Sequence, residues 1–136
     1  MTPRVSVVMP VHNALPYLDA AVQSILNQSE RDFEFVILDN ASTDGSRDRL
    51  HEWALCDERI RILEEPNNLG PAVSSQRVAT AASAPIVARM DADDISLPNR
   101  LADQLRVLDR HPDVGVVGGL YDIIDPEGRI VRGPEL

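Results

Sequence analysis

Three carboxylates stand within four residues at Asp91-Ala92-Asp93-Asp94, directly after the apolar run Pro85-Ile86-Val87-Ala88-Arg89-Met90. Like charges this close repel one another unless something positive sits among them. Hard divalent cations take oxygen ligands, and magnesium commonly binds one or two carboxylates together with substrate phosphates. Along an extended backbone Asp91 and Asp93 point one way and Asp94 the other. The pattern suits a divalent metal held by Asp93 and Asp91 and bridging to a diphosphate. A solvated turn that caps a helix after Leu97-Pro98 is the alternative for the same residues.

Asp39 is a second candidate. It ends the apolar run Phe33-Glu34-Phe35-Val36-Ile37-Leu38 and opens the turn formers Asn40-Ala41-Ser42-Thr43-Asp44-Gly45. A carboxylate there can accept the imide N–H of uracil or a ribose hydroxyl, or it can satisfy backbone donors of its own turn. His12 and Asn13, after Val5-Ser6-Val7-Val8-Met9-Pro10-Val11, would line the same pocket; no catalytic role is assigned to His12. Arg77 follows the Pro66-Asn67-Asn68-Leu69-Gly70 loop and is placed to reach a phosphate, with an ordinary surface arginine as the alternative.

These residues need elements to position them. Short β-branched runs predict strands at 5–9, 33–38, 60–63, 85–90 and 114–118. Between them, helical spacing places Leu18, Ala21, Val22, Ile25 and Leu26 on one face from Pro16 onward, and Leu50, Trp53 and Ala54 on another. Asp44 or Ser42 is positioned to cap that second helix. An Ala/Ser-rich helix is expected over 72–83, and a further one near Pro98 with Leu101, Leu105 and Leu108 inward. Tyr121 to Val131 reads as a hairpin around Asp125-Pro126-Glu127-Gly128. Strands alternating with helices define an α/β domain with a mainly parallel sheet. Ligands of such sheets bind beyond the carboxyl ends of the strands. The clusters Pro10–Asn13, Asp39–Asp44 and Asp91–Asp94 all fall at strand ends.

Composition narrows the function. The 136 residues suit one domain, and their net charge is −9. That charge argues against a nucleic-acid surface and requires local cations or a metal for any phosphate ligand. All 13 basic residues are arginines, which excludes a Schiff-base lysine and a P-loop lysine. Cys56 is the one cysteine, so no disulfide closes within the chain. No Gly-x-Gly-x-x-Gly follows the first strand, which disfavours a dinucleotide-binding domain. No apolar run approaches the ~20 residues of a membrane span, and the N-terminus lacks signal-peptide regions. The sequence therefore predicts a soluble, cytoplasmic chain, with membrane association of a full-length protein left open.

Several segments together resemble family 2 glycosyltransferases. Val5–Asn13 is similar to the opening strand of that family, and Val36–Ser46 to its second strand and acidic turn. Asn67-Asn68-Leu69-Gly70 resembles its central loop. Ala88-Arg89-Met90-Asp91-Ala92-Asp93-Asp94-Ile95-Ser96-Leu97-Pro98-Asn99-Arg100 resembles its Asp-x-Asp segment, and His111-Pro112-Asp113-Val114 continues the pattern. The resemblance implies a GT-A fold, Rossmann-like, of which residues 1–136 are the nucleotide-sugar-binding part. It implies a nucleoside diphosphate sugar donor, a UDP-sugar in the first instance, and Mg2+ or Mn2+. It implies inverting transfer to a sugar, polysaccharide or lipid-linked acceptor. Pro10, Val11, His12, Asn13 and Asp39 would line the nucleoside pocket, with Arg77, Asp91 and Ala92 also on the donor. Asp93 would be the main metal ligand, with Asp91 near metal or ribose.

Two residues depart from the family pattern: Asn40 at the second acidic position, and Gln76 beside Arg77. In the family the general base belongs to an acceptor-side half. Here it is expected beyond Leu136, so that the chain alone would bind donor without efficient transfer. Apolar surface around Val114–Leu120 would then invite self-association. Two other readings stand beside this one. A haloacid-dehalogenase-like phosphatase would use Asp91 and Asp93 as nucleophile and acid, but there the acidic pair follows the first strand. A non-catalytic nucleotide-binding or protein-interaction module would keep the pocket without the chemistry.

Overall fold

The computed structural model describes residues 1–134. Strands β1 (Val5–Val11), β2 (Phe33–Asn40), β3 (Ile60–Glu65) and β4 (Ile86–Arg89) alternate with helices α1 (Leu15–Leu26), α2 (Ser46–Cys56), α3 (Gly70–Thr80) and α4 (Arg100–Arg110). The four strands form one sheet in the order β3-β2-β1-β4, parallel throughout. The chain packs as two compact units, residues 1–101 and 102–136.

In the first unit, β1 and β2 are covered on both faces, which is why they read as unbroken apolar runs. Val5, Val7, Met9, Phe35, Ile37 and Leu38 are almost wholly excluded from solvent. β3 and β4 form the two edges and are only half-buried. The stripe expected on α1 is confirmed, with Leu18, Ala21, Val22 and Ile25 all buried. Pro16 sits in the first turn, where its missing N–H costs nothing. α2 buries Leu50 but leaves Trp53 and Ala54 half-exposed.

Neither α1 nor α2 is capped by its own N-cap side chain. Gly45 takes the N-cap of α2 in the left-handed region (φ 98°), and Asp44 accepts the Ser46 N–H at 2.9 Å. Ser42 turns instead toward β1 and accepts the Asn13 N–H at 3.0 Å. The first amides of α1 are met from the same turn: Ser46 Oγ accepts from Ala14 N and Asp44 from Leu15 N, each at 3.0 Å. One turn after β2 thus closes both helix starts.

The second unit departs from expectation at 114–118, where no strand forms. Glycines at 115, 118 and 119 weaken a strand, and no neighbouring strand pairs with it. The hairpin does form, with β5 (Ile123–Ile124) antiparallel to β6 (Ile130–Arg132). Asp125 closes its turn by accepting from the backbone of Glu127 and Arg129. Among the described residues no helix is long and apolar enough to cross a membrane.

Glu34 ties the sheet to the segment entering β4. It accepts from Ser6 Oγ on β1 and from both the N–H and the hydroxyl of Ser83. Burial pushes its carboxyl up, but these hydrogen bonds, helped by Arg61, outweigh burial and hold it at about 2. The folded value lies below the unfolded one, so the contribution is complete above pH ~4.5 and is lost as pH falls toward 2. Glu34→Gln is expected to lower stability by about 1–2 kcal/mol at neutral pH. It should also flatten the loss of stability across that acid window. Urea unfolding as a function of pH checks this, and parallel curves for both proteins would refute it.

Candidate functional site

The strand order places a topological switch at β1. The chain runs outward from β1 through β2 to β3, then returns to add β4 on the other side. At such a switch the connections leave in opposite directions, and a crevice opens beyond the strand carboxyl ends. A cavity of about 380 Å³ lies there. Pro10, Val11, His12 and Asn13 form one wall at the end of β1, and Arg89, Asp91, Ala92 and Asp93 form another at the end of β4. Asn40 from β2, Asn68 from the loop before α3, Tyr17, and Pro71, Ser74 and Ser75 complete it.

The backbone at this edge is strained in two places. Among the described residues, Asn13 (φ 51°) and Ala41 (φ 58°) are the non-glycine residues with positive φ. Asparagine tolerates this conformation; alanine does so at a cost on the order of 1 kcal/mol. Asn13 is held there from both sides, its N–H by Ser42 Oγ and its amide oxygen by the Thr43 N–H at 2.7 Å.

The acidic segment is anchored from below. Gln28, fully buried, donates to the carbonyls of Ser24 and Leu97 and to Ser96 Oγ, and accepts from the Leu101 N–H. Ser24 Oγ accepts from the Ser96 N–H. The segment thus leaves β4 and is stapled to the end of α1 within a few residues. Arg100 donates to the Arg89 carbonyl at 2.7 Å, and burial pulls its guanidinium below the usual arginine range. Asp94 is raised, first by burial and then by the charges of Asp91 and Asp93, only partly offset by Arg100. Asp91 is exposed and paired with Arg89 at 2.9 Å.

Among the described residues no group of three or more His, Cys, Asp or Glu converges as a metal cage. Asp91 and Asp93 nevertheless face one cavity as a two-carboxylate set. This matches the demand of a cation that takes its other ligands from water and substrate phosphate. Asp94, raised mainly by burial, also feels the charges of Asp91 and Asp93. The donor set therefore fits a divalent ion that needs substrate to complete its shell.

Two residues expected on the donor lie apart from the cavity. Asp39 is wholly buried: one oxygen pairs with Arg47 Nε at 2.8 Å, the other accepts from the Ser42 N–H at 3.3 Å. Arg77 pairs with Glu65 at 2.6 Å and borders a separate depression with Leu63 and Val73. In the other direction, Asn40, Asn68, Tyr17 and Arg89 face the cavity without having been singled out for it. Adjacent strand residues point to opposite faces, and with Asp39 paired to Arg47 it is Asn40 that faces the cavity; the sequence carried no signal of that pairing.

A parallel sheet with this switch, and paired acids after the strand that returns beside β1, is the arrangement of a GT-A fold. The family comparison agrees: the model for glycosyl transferase family 2 matches residues 6–135, and the chain belongs to that family. An uncharacterized glycosyltransferase of Methanocaldococcus jannaschii is 34% identical over 132 residues, covering 96% of this chain and 46% of the relative. The UDP-Glc:alpha-D-GlcNAc-diphosphoundecaprenol beta-1,3-glucosyltransferase WfgD of Escherichia coli is 30% identical, covering 89% and 47%. Among solved structures, the mannosyltransferase PcManGT of Pyrobaculum calidifontis in complex with GDP-Man and Mn2+ superposes with a TM-score of 0.73. It is 28% identical, with 93% of this chain and 37% of that one covered. The chain spans about half the length of the curated relatives it matches. Family membership sets aside the phosphatase reading, whose acidic pair would follow β1 and not β4.

Removing one partner from a buried ion pair leaves an uncompensated charge. Arg47→Met is therefore expected to lower the urea midpoint, because Asp39 keeps a buried charge without its partner. Asp39→Asn combined with Arg47→Met should cost less than the sum of the two single changes. Urea midpoints for the three variants decide this; strict additivity would show that Asp39 does not depend on Arg47.

Proposed function

We propose that the cavity between β1 and β4 binds the nucleoside diphosphate portion of a sugar donor, a UDP-sugar first, for inverting transfer to a sugar, polysaccharide or lipid-linked acceptor. One observation carries this reading: the switch brings Pro10–Asn13 and Asp91–Asp93, far apart in sequence, onto the walls of a single cavity. The name of the E. coli relative specifies UDP-Glc and a diphosphoundecaprenol-linked acceptor, which favours uridine and a lipid-linked class. The P. calidifontis structure holds GDP-Man with Mn2+, which favours a divalent cation and keeps guanosine as the competing base.

In this reading the β1 end and Asn40 hold the nucleoside, and Asp93 with Asp91 faces the diphosphate. A bound Mg2+ or Mn2+ would supply positive charge against the leaving diphosphate. Arg89 already neutralises part of Asp91 and is the cation nearest to it in the cavity wall. Asp39 shapes the floor through the turn at 39–42; a direct contact with the base would require it to leave Arg47. Arg77 would reach a phosphate only by releasing Glu65. No carboxylate of this cavity is assigned as the general base that deprotonates the acceptor, since Asp91 and Asp93 face the donor. The domain acts inside the cell on a cytoplasmic nucleotide sugar.

The test is a melting scan with UDP and with GDP, each with Mn2+ or with EDTA. At ligand near 100 times Kd, binding adds about 2.7 kcal/mol, which for a chain this size shifts Tm by on the order of 10 °C. UDP with Mn2+ is expected to give the largest shift, and Asp93→Asn to remove most of it. An equal shift in EDTA would sink the metal's role, and a larger one with GDP would reassign the base.

A further inference from the structure

His12, Asn40 and Asn68 form a closed ring of hydrogen bonds at the cavity wall. His12 Nδ1 lies 2.7 Å from the Asn40 carbonyl oxygen, Asn40 Nδ2 is 2.9 Å from Asn68 Oδ1, and Asn68 Nδ2 is 3.2 Å from His12 Nε2. Backbone groups fix the direction of each of these bonds. The Leu69 N–H can only donate, so the Asn40 atom 2.8 Å from it is the amide oxygen. The Asn40 NH2 therefore faces Asn68. The Gly70 N–H, 2.8 Å from Asn68, likewise fixes that residue's oxygen, which receives both Gly70 and Asn40. The Asn68 NH2 is left against His12 Nε2, which must accept. Asn13 agrees independently: its oxygen is taken by the Thr43 N–H, so its NH2 is the group 3.5 Å from the same Nε2. On the other side of the ring a carbonyl oxygen can only accept, so Nδ1 carries the proton.

We propose that Asn40 and Asn68 are positioning residues that lock His12 into the Nδ1–H tautomer, with Nε2 an acceptor, and thereby fix an uncharged wall for the donor pocket before ligand arrives. The tautomer follows from the hydrogen-bond directions alone; its bearing on ligand rests on the donor-pocket reading above. Asn40 is the key residue because it supplies three of the contacts, its carbonyl, its oxygen and its NH2, while being almost wholly buried. The other charged groups of the cavity are Arg89, Asp91 and Asp93 on the wall at the end of β4.

An aspartate at position 40 tests this directly, since it keeps shape but cannot donate. The Leu69 N–H would still be met, but Asn68 would have to turn its NH2 toward the new carboxylate and lose Gly70. Its oxygen would then face Nε2, which could satisfy it only by gaining a proton. Asn68→Leu is the second variant; it removes the bond to Nε2 without adding charge.

The experiment is 15N NMR of histidine-labelled full chain at about pH 8, above the ordinary imidazole range. The His12 signals are identified by their loss in His12→Phe. The unsubstituted chain is expected to show a protonated-type Nδ1 and an unprotonated-type Nε2, the minor tautomer of free histidine. Asn40→Asp should move Nε2 toward the protonated type at the same pH, whereas Asn68→Leu should leave Nδ1 protonated against the Asn40 carbonyl and shift only Nε2, which keeps just the longer Asn13 contact. UDP affinity with Mn2+, measured by calorimetry, should fall about tenfold in both variants, the equivalent of one lost hydrogen bond. A proton on Nε2 in the unsubstituted chain, or fast averaging there, overturns the proposal. So does a shifted ring in Asn40→Asp with UDP affinity unchanged. If the unsubstituted chain binds no nucleotide, the donor-pocket reading fails, while the NMR still decides the tautomer.

Discussion

The position of β1 between β2 and β4 is the constraint on which the site depends. A parallel strand pair needs a crossover, and each crossover here carries a helix. Laying β2 and β3 to one side and β4 to the other leaves the β1 carboxyl end with connections departing both ways. Residues some 80 positions apart in sequence then meet without any loop reaching across. The long apolar runs of β1 and β2 secure this arrangement, because strands so fully buried have little freedom to slip in register.

Some polar groups at that edge only hold the backbone, whereas others face the cavity, Asn13, Asn40 and Asn68 while also accepting from backbone amides. Asp39, Asp44, Ser42, Ser46 and Gln28 bond to backbone amides or carbonyls or to Arg47, and so define the turn after β2 and the segment after β4. His12, Asn13, Asn40, Asn68, Asp91 and Asp93 face the cavity. A chain of net charge −9 keeps this edge ordered by pairing its acids locally, as Asp39 with Arg47, Glu65 with Arg77 and Asp91 with Arg89. Among the described residues Asp93 and Asp94 form no ion pair as close as these, although Arg100 partly offsets the charge of Asp94.

Sequence patterning revealed the alternation of strands and helices, the buried faces of α1 and α4, and the strand ends where the cavity opens. Those features follow from local periodicity. It misjudged 114–118, where apolar β-branched residues suggested a strand but the glycines between them gave it little hold and no partner strand lay alongside. Asp39 and Arg77 were placed on the donor by residue type, yet the structure pairs each with a nearby opposite charge. Such pairings depend on which faces two elements present, and a chemistry-bearing residue looks the same in sequence whether it is free or committed. Asn40 illustrates the converse: read as a lost carboxylate, it proves to be the hub of a hydrogen-bond ring that exists only once β1, β2 and the 66–69 loop are brought together.

The closure of α1 has a consequence for how anions are handled. The first amides of a helix, together with its dipole, make a ready anion site, and α1 begins directly beyond β1, beside the cavity. In this chain those amides are already taken, by Asp44 and Ser46 from the turn after β2, and Asp44 brings a negative charge of its own to the positive end of the dipole. Other α/β nucleotide-binding proteins rest a phosphate at this point. Here the helix has been supplied with an internal anion in its place, and its field is spent within the fold. An anion brought to the cavity would find no backbone cradle at α1 and would have to be met by charge from elsewhere on its walls.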